Sequence, residues 1–171
     1  MFKANGDGLF SIITPNQTWG TPDWMGTGIN NAHQTDQVYW HQGSTLYVLS
    51  WNGNGWSIAN STVGIGTPDA AVTGDFNKDG YTDIAWHQGS TLFMLKASDF
   101  GTFGIDGSSV GIGTPDWSGG GENNGSHTDQ VYWHQGSTIF DLSYIIASHG
   151  WQVAAQTNGI TSPDAATSAN P

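Results

Sequence analysis

Residues 74–83, GDFNKDGYTD, place Asp75, Asn77, Asp79 and Asp83 along one short stretch, in a chain where only 10% of residues are charged. Counted from Asp75, their side-chain oxygens fall at positions 1, 3, 5 and 9. Tyr81 at position 7 offers a backbone carbonyl, and Gly80 at position 6 permits a sharp turn. Three carboxylates so close repel one another unless something positive lies between them. Ca2+ takes six to eight hard oxygens, and a short loop with oxygens at every second residue wraps them around one point. The pattern is not an EF-hand: no Glu stands at position 12, and strand-like sequence flanks the loop. A solvated turn is the simpler alternative, since Asp, Asn and Gly favour turns in any case. The strict alternation of oxygens favours the cation.

A second constellation is repeated. The hexapeptide WHQGST occurs three times, giving Trp40-His41-Gln42, Trp86-His87-Gln88 and Trp133-His134-Gln135. As a ligand site, Trp faces suit the C–H surfaces of sugars, while His and Gln bond hydroxyl groups. Three weak copies would gain avidity. As packing, each copy is a hairpin with its Trp wedged between neighbouring units and its His capping a turn. Packing is the simpler of the two, because a repeating fold must repeat its packing residues.

Other chemistry has little support. Of the histidines His33, His41, His87, His127, His134 and His149, three belong to the repeat, and no Glu-x-x-His pattern accompanies them. Gly-x-Gly occurs at Gly64 and Gly111 without a following helix, and no Gly-x-Ser-x-Gly elbow is present. Paired carboxylates could be assembled only from the loop that a cation would fill. The chain is therefore expected not to be an enzyme. Asn16, Asn60 and Asn124 each open an Asn-x-Ser/Thr acceptor for N-glycosylation, which matters only where the host supplies the machinery.

Fourteen acidic against 3 basic residues give a formal net charge of −11. Such a surface repels phosphate backbones and anionic lipid, so no nucleic-acid partner is expected. No apolar run approaches the roughly 20 residues of a membrane span, so no membrane insertion is expected. There is no Cys, which excludes disulfides and thiolate metal sites. The start, MFKANGDG, lacks the apolar region of a signal peptide. If the protein is exported, its signal has been removed or lies outside this chain.

These residues must be positioned by a repeat. WHQGST recurs at spacings of 46 and 47, and Thr/Ser-Pro-Asp, beginning at Thr21, Thr67, Thr114 and Ser162, at 46, 47 and 48. An aromatic residue (Phe10, Trp56, Phe103, Trp151) stands twelve residues before each of these prolines. Within a unit the pattern predicts four short strands: 69–73 after the Pro-Asp, 84–87 after the acidic loop, 91–96 after the Gly turn, and a fourth starting at positions such as Trp56. Residues 144–147 read as the end of a strand. Four strands every 47 or so residues is the blade pattern of a β-propeller. The expected fold is all-β: a propeller-like array of four-stranded antiparallel blades, three complete and partial ones at both ends. The divisions are 1–20, a partial blade with the end of a third strand and a fourth; 21–66, 67–113 and 114–161, the three blades; and 162–171, the first strand of a further blade. Residues 1–12 align on 94–105, and 162–171 on 67–76, so the positions equivalent to 77–93 are missing between the two stubs. Open strand edges are covered or used, and head-to-tail pairing of copies would give rings or filaments.

The segment GDFNKDGYTDIAW, followed by a Gly turn, the strand TLFMLKA and a G-x-F strand, resembles the FG-GAP or VCBS repeats that form the blades of integrin-type propellers, of many secreted bacterial proteins and of some lectins. The resemblance implies that Asp75, Asn77, Asp79, Tyr81 and Asp83 bind Ca2+. The corresponding Ile29, Asn31, His33, Thr35 and Gln37 of the first unit depart too far to do so. Glu122, Asn124 and Ser126 of the third, with Thr128 and Gln130, keep oxygens but one charge, a weak or degenerate site.

Two functions follow as expectations. One is a secreted or cell-surface, calcium-braced module for adhesion or for recognition of carbohydrate or protein, with glycans as partners. The other is a structural subunit whose partner is itself, joined head-to-tail into a ring or extracellular filament.

Overall fold

The computed structural model describes residues 2–4, 10–12, 19–29, 37–99, 101–121 and 129–162, the first two segments by backbone alone. Strands β1 (Phe2–Ala4) and β2 (Phe10–Ile12) pair antiparallel. Three four-stranded antiparallel sheets follow, each a simple meander. Blade 1 holds β3 (Trp24–Gly28), β4 (Gln37–Gln42), β5 (Thr45–Trp51) and β6 (Trp56–Val63). Blade 2 holds β7 (Ala70–Gly74), β8 (Asp83–Gln88), β9 (Thr91–Ala97) and β10 (Phe103–Val110). Blade 3 holds β11 (Trp117–Gly121), β12 (Gln130–Gln135), β13 (Thr138–Ile145) and β14 (Gly150–Asn158). The all-β architecture and four-stranded units expected from the repeat are thus present.

Local chemistry explains each blade. Two-residue turns join the second and third strands, and their first residue, Gly89 in blade 2, has φ +65°, open to glycine and strained for other residues. The fourth strand carries a one-residue bulge in every blade, where the register slips at Val48/Leu49, Ile105/Gly107 and Asp141/Leu142. A bulge there bends and twists the outer strand.

The core lies between sheets rather than within them. One cluster joins Tyr39, Leu46 and Val48 of blade 1 to Ile84, Trp86, Leu95 and Phe103 of blade 2. The other joins Val72, Ala85, Leu92 and Met94 of blade 2 to Val131, Trp133, Leu142 and Trp151 of blade 3. Strand β8 is consequently buried on both faces from Asp83 to His87, whereas β4 alternates buried and half-buried residues. A half-covered sheet alternates; a sheet covered twice does not. The first strands lie side by side, β7 between β3 and β11. Glycine permits this approach: a Cβ on Gly120 would sit 2.9 Å from Val72 and 3.0 Å from the Thr73 carbonyl.

The strand expected over 144–147 ends earlier. β13 stops at Ile145, and Ile146–Ser148 form a 3-10 turn. The chain must reverse here, and His149 closes the turn at φ +49°. Asp106, the bulge residue of blade 2, holds the reversal: it accepts a 2.6 Å bond from the Tyr144 hydroxyl and lies 3.2 Å from His149 Nδ1. The Tyr144 bond keeps the Asp106 carboxyl below its usual range.

Candidate functional site

The acidic loop spans the gap between β7 and β8. Its second residue, Phe76, is wholly buried and packs edge-on against Trp151 of blade 3 at 5.2 Å between ring centroids. That anchor ties the loop to the core and leaves the polar residues at the rim. Lys78 and Gly80 adopt left-handed backbone, φ +63° and +84°, which curls the loop. The Asp79 amide donates to Asp75 Oδ1 at 3.0 Å and to Asn77 Oδ1 at 2.9 Å. The Gly80 amide donates to Asp75 Oδ2 at 2.9 Å, and the Tyr81 amide to Asp79 Oδ1 at 3.0 Å. Lys96 Nζ lies 3.2 Å from Asp79 Oδ2.

Asp83 stands apart from this lattice. It opens β8 opposite Gly74, with no side-chain exposure. Its Oδ1 accepts from the Ala97 amide at 2.9 Å, while its buried Oδ2 has no hydrogen-bond partner. Burial pushes its carboxyl up to about 8, and the Asp79 and Asp75 charges add to the rise. Asp75 is raised too, chiefly by burial, against the amides of Gly80 and Asp79.

The other two blades show what this slot otherwise contains. Gln37 and Gln130 occupy the position of Asp83 and are buried. Gln37 Nε2 donates to Ser50 Oγ at 2.9 Å, and Gln130 Nε2 to Ser143 Oγ at 2.7 Å. In blade 2 both partners differ: Asp replaces Gln, and Lys96 replaces Ser. Lys96 reaches out to Asp79 rather than in, so one buried carboxylate oxygen is left unpaired. An orphan of that kind is costly unless a cation or proton meets it.

The donor set fits a hard cation: carboxylate oxygens of Asp75, Asp79 and Asp83, the Asn77 carboxamide oxygen and the Tyr81 carbonyl. Among the described residues, no three acidic or imidazole side chains are gathered into a ready-made metal cluster. The loop oxygens hold amides instead, and each keeps a second lone pair. A cation would therefore draw the carboxylates of Asp75 and Asp79 toward Asp83. A groove of about 670 Å³ runs past Asp79 and Tyr81, lined further by Lys96, Ser98, Asp99 and Asp106.

The WHQGST copies are placed differently. His41, His87 and His134 are fully buried. Each Nε2 meets a carbonyl oxygen of the linker leaving its own blade: Ile65 at 2.9 Å, Ile112 at 2.9 Å and Ile160 at 3.2 Å. A carbonyl only accepts, so Nε2 carries the hydrogen. Each Nδ1 faces the aspartate of the Pro-Asp marker, Asp23, Asp69 or Asp116, at 3.3, 3.4 and 3.2 Å. That carboxylate also accepts from the hairpin amide of Gly43, Gly89 or Gly136 at 2.7, 2.6 and 2.8 Å. The two repeat markers are thus one structural knot. Trp86 and Trp133 donate to the carbonyls of Gly66 and Gly113 at 3.1 Å and stack edge-on against His41 and His87 of the preceding blade. Of the Trp, His and Gln of the copies, Gln42, Gln88 and Gln135 are the exposed ones. Trp40 is half-buried and close to Trp19, at 6.2 Å between centroids.

Of the remaining candidates, Glu122, Asn124, Ser126 and Asn16 lie outside the described residues. Asn60 sits on β6, half-buried, its Oδ1 accepting from the Ser61 amide at 2.8 Å. Sequence reasoning passed over Asp129. It stands where Thr82 stands in blade 2, and the Thr-Asp pair at 128–129, one residue out of step with Thr82-Asp83, was the available signal.

Residues 67–90 match the family model of the FG-GAP repeat. The match covers the first two strands of blade 2, the acidic loop and the hairpin turn. No curated protein matches the chain. Among the described residues, no helix is long and apolar enough to cross a membrane.

Proposed function

We propose that the chain is a non-enzymatic module of propeller type, secreted or displayed at the cell surface, whose second blade binds Ca2+ and which serves adhesion or the recognition of carbohydrate or protein. The observation that carries this is the unpaired, buried Asp83 oxygen, which feels the charges of Asp79 and Asp75, in the one of the three described blades that lacks the Gln–Ser pair. The FG-GAP match over the same residues supports it, since such repeats are typically extracellular. When bound, Ca2+ supplies the positive charge that cancels the repulsion among the carboxylates. Asp75, Asn77, Asp79 and Asp83 present the side-chain oxygens, and Phe76 keeps the loop from peeling off the core. The rim groove beside Asp79 gives a neutral ligand such as a glycan a mixed lining next to the ion, with Ser98 and Asp99 beside the apolar Phe103 and Ile105. Thermal melts in calcium and in chelator test the assignment. At free calcium ten times the dissociation constant, stabilisation of about 1.4 kcal/mol is expected; superimposed melts would remove calcium from the account.

Self-association has its own support. Met25, Val38, Trp40, Leu49 and Trp56 line an apolar groove of about 700 Å³ on blade 1, and Met25 is 56% exposed. Their counterparts in blade 2, Ile84, Trp86, Leu95 and Phe103, are buried against blade 1. A sheet face built for a neighbour is the surface a second copy would cover. Sedimentation velocity across a concentration series should show oligomers that Met25→Lys disperses. A monomer at every concentration would rule the assembly out.

A further inference from the structure

Blade 3 grips the acidic loop of blade 2 at its first position. The Asp75 amide donates to Asp129 Oδ2 at 2.7 Å, and the Asp129 amide donates back to the Asp75 carbonyl at 3.3 Å. The same two-bond clasp joins blades 1 and 2: the Ile29 amide donates to Thr82 Oγ1 at 2.9 Å, and the Thr82 amide to the Ile29 carbonyl at 2.7 Å. Ile29 and Asp75 are equivalent, as are Thr82 and Asp129, so the clasp belongs to the way blades dock. Room for it comes from the glycine closing each first strand. A Cβ on Gly74 would lie 2.9 Å from the Asp129 Cβ, and one on Gly28 would strike the Thr82 side chain.

We propose that Asp129 is a positioning residue through which the third blade sets the calcium affinity of the second; this rests on the calcium assignment for the loop. Asp75 is position 1 of that loop, and its carboxylate already holds the amides of Asp79 and Gly80. Fixing its backbone at both the amide and the carbonyl removes freedom that binding would otherwise have to remove. In the Ile29–Thr82 clasp the held residue is apolar, so no ion gains from it. The coupling is reciprocal: calcium that favours the clasped loop must favour docking of blade 3 by the same factor.

Two neutral variants of nearly equal shape separate the clasp from the mere charge of Asp129. Asp129→Thr copies the Thr82 clasp, and Asp129→Val lacks the acceptor. Calcium titration calorimetry on the full chain should give a dissociation constant about tenfold weaker for the Val variant than for the Thr variant, the loss of one such hydrogen bond. Hydrogen exchange in chelator should show the Asp75 amide opening faster in Val than in Thr. If Asp129→Val does not fold, Asp129→Ala removes the same acceptor with less bulk. Equal calcium affinities in Thr and Val overturn the proposal while leaving calcium binding intact. Absence of a calcium signal in the unaltered chain overturns the calcium assignment, and the proposal with it.

Discussion

Replacing Trp86 by alanine should destabilise the chain by about 3–5 kcal/mol, the range for truncating a buried aromatic residue. Trp86 is only 2% exposed and fills the seam between blades 1 and 2. Its ring meets Trp24 at 5.4 Å and His41 at 5.1 Å between centroids, both edge-on, a geometry that adds to simple burial. Truncation also leaves the Gly66 carbonyl without its indole donor. Trp40→Ala, at the same repeat position on the half-open face of blade 1, should cost roughly half as much or less, because less apolar area is returned to water. Urea unfolding of both variants gives the comparison. Equal losses would mean that Trp86 is not held between blades.

Asp83→Asn should act in opposite directions with and without calcium. With calcium at one hundred times the dissociation constant, the unaltered chain should gain about 2.7 kcal/mol from the proposed binding, and the variant should lose most of it. In chelator the variant should be the more stable one at alkaline pH. The native carboxyl at about 8 lies above its ordinary 3.8, so the folded state binds a proton that the unfolded state releases. The stability from that proton is complete below the unfolded value and drains away as pH rises through the folded one, between roughly 4 and 8. The asparagine side chain does not titrate and retains an oxygen for the Ala97 amide. The difference in stability between the two proteins, measured in chelator across that window, should therefore shift steadily toward the variant as pH rises. A flat difference would mean that Asp83 is already charged and otherwise compensated.

Much of the blade was legible from residue order because its causes are local. Strand β9 spans Thr91–Ala97 where TLFMLK announced 91–96, since β-branched and aromatic residues after a Gly turn need no distant information. The miss over 144–147 has an equally definite cause. The residues there are apolar, and the reversal depends on Asp106, 38 residues from Tyr144 along the chain. In WHQGST the three letters of interest proved to face different ways. His faces its own linker, Trp86 and Trp133 the preceding blade, and each Gln is exposed along a linker glycine, and nothing in the string distinguishes these surroundings.

Residue order by itself determined the period, the four strands of each unit, the turns between them and the oxygen-rich loop. The period is plain from the recurrence of whole motifs; the others follow from alternation, turn chemistry and like-charge crowding within a dozen residues. Stacking of the sheets decided the rest: that Asp83 is sealed from water with an oxygen unpaired, that His and Pro-Asp form one knot, and that Asp129 clasps Asp75. Burial and long-range partners depend on which faces meet, and those faces belong to residues some fifty positions apart.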